Sequence, residues 1–452
     1  MTRIFEDIPG ASFGSSENTP FKSTQLRLVL ALFVLGTGAC GGSGGEGSGG
    51  LACESGANCK ITALDGAAGD FFGRAVAIDG NVIAVGATGN DSNGISSGAA
   101  YTYRFDGEFW QAEQRLTPTT VAPGDFFGSS VDVDGDVIVV GAMRDDGAAV
   151  DSGTDTVYRF NAATGIWDNE ATLAANDAAF ESKFGNAVAV DGDVIAVASR
   201  DDFVDDANIV EGAVYVYNYN AGTKSWSQAQ KIGPPASFFR RSYGISISLD
   251  GDVLVIGDNG VSNNGAGGPN LGSIEIYRFD GNITMGPQWV SEDFFIASDF
   301  GVGVNDNFGG SVSVKGDVIV VGAGNSKGSG SAEVIRYDSG TWSFEQRLVA
   351  TDASEGDFFG GSVSIGTDVI VVGAPFATQN GAQSGSVYVF RYDKDQAPGM
   401  QWSEDRIVTA SDSAVVNDFG VSVSVSGEVT AAGVSLDNPR GNLSGSAYAI
   451  GL

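Results

Sequence analysis

The sequence predicts an all-β chain folded as a seven-bladed β-propeller, and three regularities carry that expectation. An aromatic-glycine step ends at Gly73, Gly128, Gly185, Gly244, Gly309, Gly360 and Gly420, seven copies spaced 51 to 65 residues apart. Thirteen residues after each comes Gly86, Gly141, Ala198, Gly257, Gly322, Gly373 or Gly433, and four of these open the pair Gly-Ala. All six tryptophans, Trp110, Trp167, Trp226, Trp289, Trp342 and Trp402, recur at one place in six copies. Self-similarity at a nearly fixed period marks stacked structural units, and units of four short strands close into a propeller.

Each element of the unit can be read in order. The invariant 13-residue interval is a β-hairpin: in SSVDVDGDVIVVGA (129–142) two β-branched runs flank Asp134-Gly135, a strong short-range turn signal. Asp79-Gly80, Asp191-Gly192 and Asp250-Gly251 repeat it. The second strand is almost wholly apolar (Val137 to Val140, Val318 to Val321), as expected where both faces are covered. A Gly-rich polar loop leads to a third strand, GAAYTYRF, GAVYVYNY, GSIEIYRF or GSVYVFRY. The tryptophan then opens a more polar fourth strand such as QAEQRL, and its regular placement points to structural anchoring. The seventh repeat ends at Leu452 after its third strand, while residues 60–64 read as a fourth strand without a blade. Lys60 to Leu64 should therefore complete blade seven, close the ring and remove a free sheet edge.

Composition narrows function. Lys+Arg 24 against Asp+Glu 56 leaves a net charge of −32, which argues against nucleic acid as a partner. Hydrophobic residues at 42% suffice for a core. The chain has no histidine, so Ser-His-Asp and Cys-His catalysis, His-ligated zinc and a histidine pH switch are all excluded. Asp418-Phe419-Gly420 spells a kinase signature, yet it is one more repeat, with no phosphate loop or catalytic loop around it.

The N-terminus reads as an address. Leu28 to Leu35 is an eight-residue apolar run preceded by Lys22 and Arg27, too short to span a bilayer and suited to a signal peptide. Gly-Thr-Gly-Ala then leads into Cys40 and resembles the lipobox of bacterial lipoproteins, with Thr37 where that family prefers Leu. The resemblance implies a signal peptide over 1–39, lipidation of Cys40, and a lipid-anchored protein of the bacterial cell envelope. The absence of Asp after Cys40 points to outer-membrane sorting. Residues 40–58 form a Gly/Ser-rich tether, and 59–452 the propeller. The leader carries as many bases as acids, so the mature chain keeps the whole charge of −32. Cys53 and Cys59 are either a disulfide pair ahead of the closing strand or two free thiols.

The repeated FG, short hairpin and Gly-Ala resemble the FG-GAP repeat of integrin alpha-subunit propellers and related bacterial surface proteins, over about residues 60–452. The resemblance implies a binding or adhesion module, monomeric, whose partner is a surface protein or glycan. It also implies calcium in the hairpin loop, but that loop has shrunk here to a bare turn. Asp134 and Asp136 cannot supply the six to eight oxygens calcium takes, so no metal site is expected there. Calcium on the acidic loops of the other face remains open, beside a merely solvated acidic surface. The DFFG aspartates (Asp70, Asp125, Asp357) recur, which suits a role in holding a turn. Specific binding should instead use residues peculiar to one blade. The divergent third and fourth repeats offer Asp201, Asp202, Asp205, Asp206, Arg240, Arg241, Asp258 and Asn259, and no catalytic residue stands out. A carboxylate-based glycan hydrolase or lyase would need a pair of blade-specific acids at the central channel. A purely structural envelope scaffold is the third reading.

Overall fold

Seven four-stranded antiparallel sheets, each a meander of neighbouring strands, make up a computed structural model that describes residues 58–202, 212–234, 242–260, 270–282, 286–379, 383–412 and 417–452. Blade one has strands Phe72–Asp79, Val82–Ala87, Ala99–Phe105 and Trp110–Leu116. Blades two to six follow over 127–173, 184–232, 246–296, 308–348 and 362–408. Blade seven consists of Val423–Ser426, Val429–Val434 and Ser446–Gly451, and its fourth strand is Cys59–Ile61 from the other end of the chain. The chain is thus an all-β seven-bladed propeller closed by its N-terminal strand.

That closing strand is shorter than expected. Lys60 pairs with Tyr448 and Ile61 with Ala447, but pairing stops there instead of running to Leu64. The next carbonyls have other partners: Thr62 O accepts from the Tyr103 hydroxyl at 3.0 Å, and Leu64 O from the Arg440 guanidinium at 2.8 Å. The Lys60 ammonium pairs with Asp412, in the connection after the last strand of blade six, and with Asp437 of blade seven. Cys59 is disulfide-bonded. Cys53 and Cys40 lie outside the described residues.

The apolar clusters lie between blades. One joins Ile61, Ala447 and Ala449 of blade seven to Ile83 and Tyr101 of blade one, and the other six junctions each hold a comparable cluster. A second strand therefore packs against a neighbour on both faces, and Val137–Ala142 is buried at every residue. The aromatic of each FG step fills its junction: Phe72, Phe127, Phe184, Tyr243, Phe308, Phe359 and Phe419 are all fully buried.

Polar ties link the same junctions. The Trp167 indole donates to Glu113 of the preceding blade at 2.8 Å, Trp226 to Glu170 at 3.0 Å and Trp342 to Glu292 at 2.8 Å. Glu170 also holds Arg159, whose guanidinium lies 4.6 Å from the ring centroid of Tyr219 in the next blade. The tryptophans are structural anchors, as their regular placement suggests. Around the channel, Val190 N donates to Asp132, Val314 N to Ser248, Ile365 N to Ser313, Val425 N to Ser364 and Ile78 N to Ser424. The last of these crosses from blade seven to blade one and completes the ring.

Candidate functional site

The first strand of every blade lines the central channel, a space of about 430 Å³, and runs from the loop-rich face to the hairpin turns. At the turn end Asp79, Asp134, Asp191 and Asp250 form an acidic arc, with Lys315 in blade five paired to Asp250. Each of these carboxylates accepts an N–H of the next blade's turn, from Gly135, Gly192, Gly251 and Gly316 at 2.7–2.9 Å. The turn aspartates are fasteners between blades. Among the described residues no group of three or more Cys, Asp or Glu is arranged to hold a metal ion. Inside the channel Asp132 stands where other blades carry serine or alanine. Burial pushes its carboxyl up to about 7, against the lowering effect of N–H donors from Val190 and Val133.

At the opposite end, the loops entering each first strand meet those joining the second and third strands. The DFFG aspartates hold these loops: Asp70 accepts from Ala67 N and the Asn90 amide, and Asp357 from Ser354 N at 2.7 Å. Asp125 likewise accepts from Ala122 N. Burial raises all three carboxyls above their ordinary value. In blade seven Asn417 stands at the aspartate's place, and Asp418, at φ 54°, takes the place of Phe71. It accepts from the Ser435 hydroxyl and Leu436 N, and burial pushes it up to about 6 against the lowering effect of these donors and of Arg74.

The residue after the aspartate behaves quite differently. Phe71, Phe126 and Phe358 adopt φ of 53°, 53° and 62°, the left-handed region that non-glycine residues rarely occupy. That conformation turns each ring out of the blade core, where the following Phe sits, and into an open recess of about 760 Å³. Phe376, 41% exposed, lies 5.8 Å from Phe358. Pro375 and Leu436 extend the apolar wall, and Arg74 and Asp418 are its charged members. The Arg144 guanidinium lies 5.0 Å from the Phe126 ring centroid. Blades six, seven, one and two build this recess. In blades three and five the outward residue is Lys183 and Asn307, also at positive φ, so the face is aromatic on one side and polar on the other.

The residues singled out from sequence lie in blades three and four, away from this recess. Asp201 pairs with Lys183 and Arg200. Asp202 is buried, accepts from the Tyr215 hydroxyl at 2.6 Å and pairs with Lys231 at 2.7 Å. Asp258 is buried and accepts from Gly260 N, and the Asn259 amide donates to Asn307 at 2.6 Å. Asp205, Asp206, Arg240 and Arg241 lie outside the described residues. The aromatic recess was missed in the sequence, although the doubled Phe of DFFG marks it: one ring serves the core and the other is surplus to it.

A family model described as FG-GAP repeat matches residues 57–103, 110–158, 167–217, 289–335, 342–390 and 402–450, more than half of the chain. Each match begins at or close to a fourth strand and ends within the third strand of the next blade. Residues 218–288, which carry the first three strands of blade four, fall between matches, yet build the same four-stranded sheet with Trp289–Ile296. Integrin alpha-2 of Mus musculus is 34% identical over 149 residues, 30% of this chain and 12% of that protein. The chain thus corresponds to a small part of that relative. The crystal structure of Saccharomyces cerevisiae Sqt1 aligns with a TM-score of 0.46 at 11% identity, over 85% of this chain and 84% of that one.

Proposed function

The chain belongs to the FG-GAP repeat family, and on that premise we propose that it is a binding module of the bacterial cell envelope, recognising a surface protein or glycan through its aromatic recess. One observation carries the reading. Three phenylalanines are held in a strained backbone conformation that turns half-buried rings, which the blade cores do not need, into the recess. Such strain costs of order 1–3 kcal/mol per residue and marks places where structure serves function. Aromatic side chains lining a concave, partly open site are typical of binding surfaces.

The test is binding of the full chain to arrayed envelope proteins and glycans, with calcium and then with chelator. The double variant F126S/F358S should lose at least about tenfold in affinity while keeping its thermal transition, since these rings lie outside the blade cores. Undiminished binding by that variant would move the site elsewhere. Loss of binding in chelator would assign calcium to the acidic loops. Turnover of a glycan would favour the hydrolase or lyase reading. That chemistry asks for two carboxylates about 5–10 Å apart. In the channel interior Asp132 stands alone, and the rim acids are tied to neighbouring turns.

The proposal includes export and anchoring through lipidated Cys40. The acyl chains would contribute roughly 0.8 kcal/mol per buried CH₂. Cys40→Ala should shift the protein from the membrane pellet to the soluble fraction, and persistent membrane association would contradict the anchor.

A further inference from the structure

We propose that the recess receives an acidic peptide segment of a partner protein, seating an apolar side chain among the phenylalanines and its carboxylate on Arg74 and Arg144. The proposal rests on the reading of this face as the binding face and adds the chemistry of the ligand.

Acids outnumber bases by 56 to 24, so a basic side chain has no shortage of partners. Among the described residues, every arginine but two pairs with a carboxylate or donates to a backbone carbonyl. The two exceptions are Arg74 and Arg144, both exposed. Arg74 lines the recess, where its charge acts on Asp418, and Arg144 lies over Phe126, one of its walls, so the two guanidiniums without an ion pair or hydrogen bond border one site. The nearby carboxylate is already engaged: Asp418 is buried and accepts from the Ser435 hydroxyl and Leu436 N.

The walls distinguish among anions. A sugar ring brings several hydroxyls, and each one desolvated against phenylalanine without a partner is costly. Of the wall's hydroxyls, Ser435 is committed to Asp418 and Ser129 to the Gly141 and Gly185 carbonyls, which leaves Thr88. A free phosphate or sulfate would use the arginines and leave the rings exposed. A peptide carrying a carboxylate next to an apolar side chain uses both, with the bidentate geometry that suits guanidinium to carboxylate. The overall charge of −32 would slow an acidic ligand at long range. At physiological salt this repulsion is screened beyond about 8 Å, so contacts inside the recess decide affinity.

The test pans a random dodecamer display library on the full chain. Fluorescence anisotropy then gives the affinities of enriched peptides for the wild type, for R74Q/R144Q and for F126S/F358S. Enriched peptides should carry Asp or Glu beside Phe, Leu or Trp. They should bind R74Q/R144Q about tenfold or more weakly and weaken as salt rises. Because both arginines are exposed, that variant should melt as the wild type does. Peptides lost on F126S/F358S but not on R74Q/R144Q would overturn the acidic assignment and leave the binding face standing. Peptides indifferent to both double variants would overturn the proposal and the face together. A basic consensus, or no enrichment, would overturn the acidic-peptide proposal. So would a sulfated glycosaminoglycan that binds more tightly than any peptide and depends on the arginines.

Discussion

Gly322→Ala is expected to destabilise the propeller by about 3 kcal/mol, the upper range for forcing an extra carbon into a packed core. A Cβ on Gly322 would lie 2.0 Å from the carbonyl oxygen of Gly360 in the next blade and 2.2 Å from Ser311 Oγ in its own first strand. Both obstacles are fixed, because the Ser311 hydroxyl donates to that same carbonyl at 2.9 Å. Gly141, Gly257, Gly373 and Gly433 are confined in the same way by Ser130, Ser246, Ser362 and Ser422. The invariant 13-residue interval therefore records a contact between blades: one glycine shapes a strand start and the other admits its neighbour's backbone. Blade three has Ala198 at this place, and its own sequence shows what the methyl requires. Ala187 replaces the serine, and the Asn186 amide reaches Gly244 O at 3.0 Å instead. The double variant S311A/G322A should accordingly lose less than the sum of its single changes. Urea unfolding measures both effects through the midpoint, at unchanged slope. A Gly322→Ala midpoint equal to wild type would show that this junction can open at no cost.

Asp155→Ala should stabilise the protein by about 1–3 kcal/mol near pH 7.5, the cost of a buried polar group without partners. Asp155 is fully buried in the third strand of blade two, and among the described residues neither carboxylate oxygen has a hydrogen-bond partner. The matching positions are Ala100, Val214, Ile274, Ala332, Val387 and Ala447, so alanine fits the site three times over. Around Asp155 stand Leu173 across the strand and the Gly141 and Gly185 backbones. Burial raises its carboxyl well above the ordinary value of 3.8. The folded state then holds a proton that the unfolded chain has released. The stability linked to that proton is fully present below pH 3.8 and is lost as pH rises through the folded value. Asp418 at about 6 and Asp132 at about 7 act in the same direction. Wild-type melting temperature should therefore fall from pH 5 to pH 8, and Asp155→Ala should flatten but not abolish that slope. A variant that melts lower than wild type at pH 7.5 would show that the carboxyl has a stabilising partner.

Much of the architecture was legible because a propeller writes each contact seven times. A turn glycine, an FG aromatic or an edge tryptophan recurs at fixed spacing when every blade meets the same neighbour. The extra strand at one end and the missing one at the other imply ring closure from the spacing alone. The closing strand was overestimated at 60–64 because Ala63 and Leu64 suit a strand, whereas the observed end at Ile61 depends on Tyr103 and Arg440 reaching the next carbonyls. Site residues fared differently. Asp202 and Asp258 looked distinctive as members of divergent repeats, yet they are absorbed by Tyr215, Lys231 and Gly260.

By itself the sequence determined the fold class, the blade count, the closure and the absence of histidine chemistry, since periodic spacing and composition are properties of the chain alone. Only the tertiary structure decided which Phe of DFFG is core and which is surface, because that depends on a left-handed backbone angle. Only it could show that, among the described residues, Arg74 and Arg144 make no ion pair or hydrogen bond beside those rings, since whether a charge has a partner depends on residues hundreds of positions away brought together by the ring.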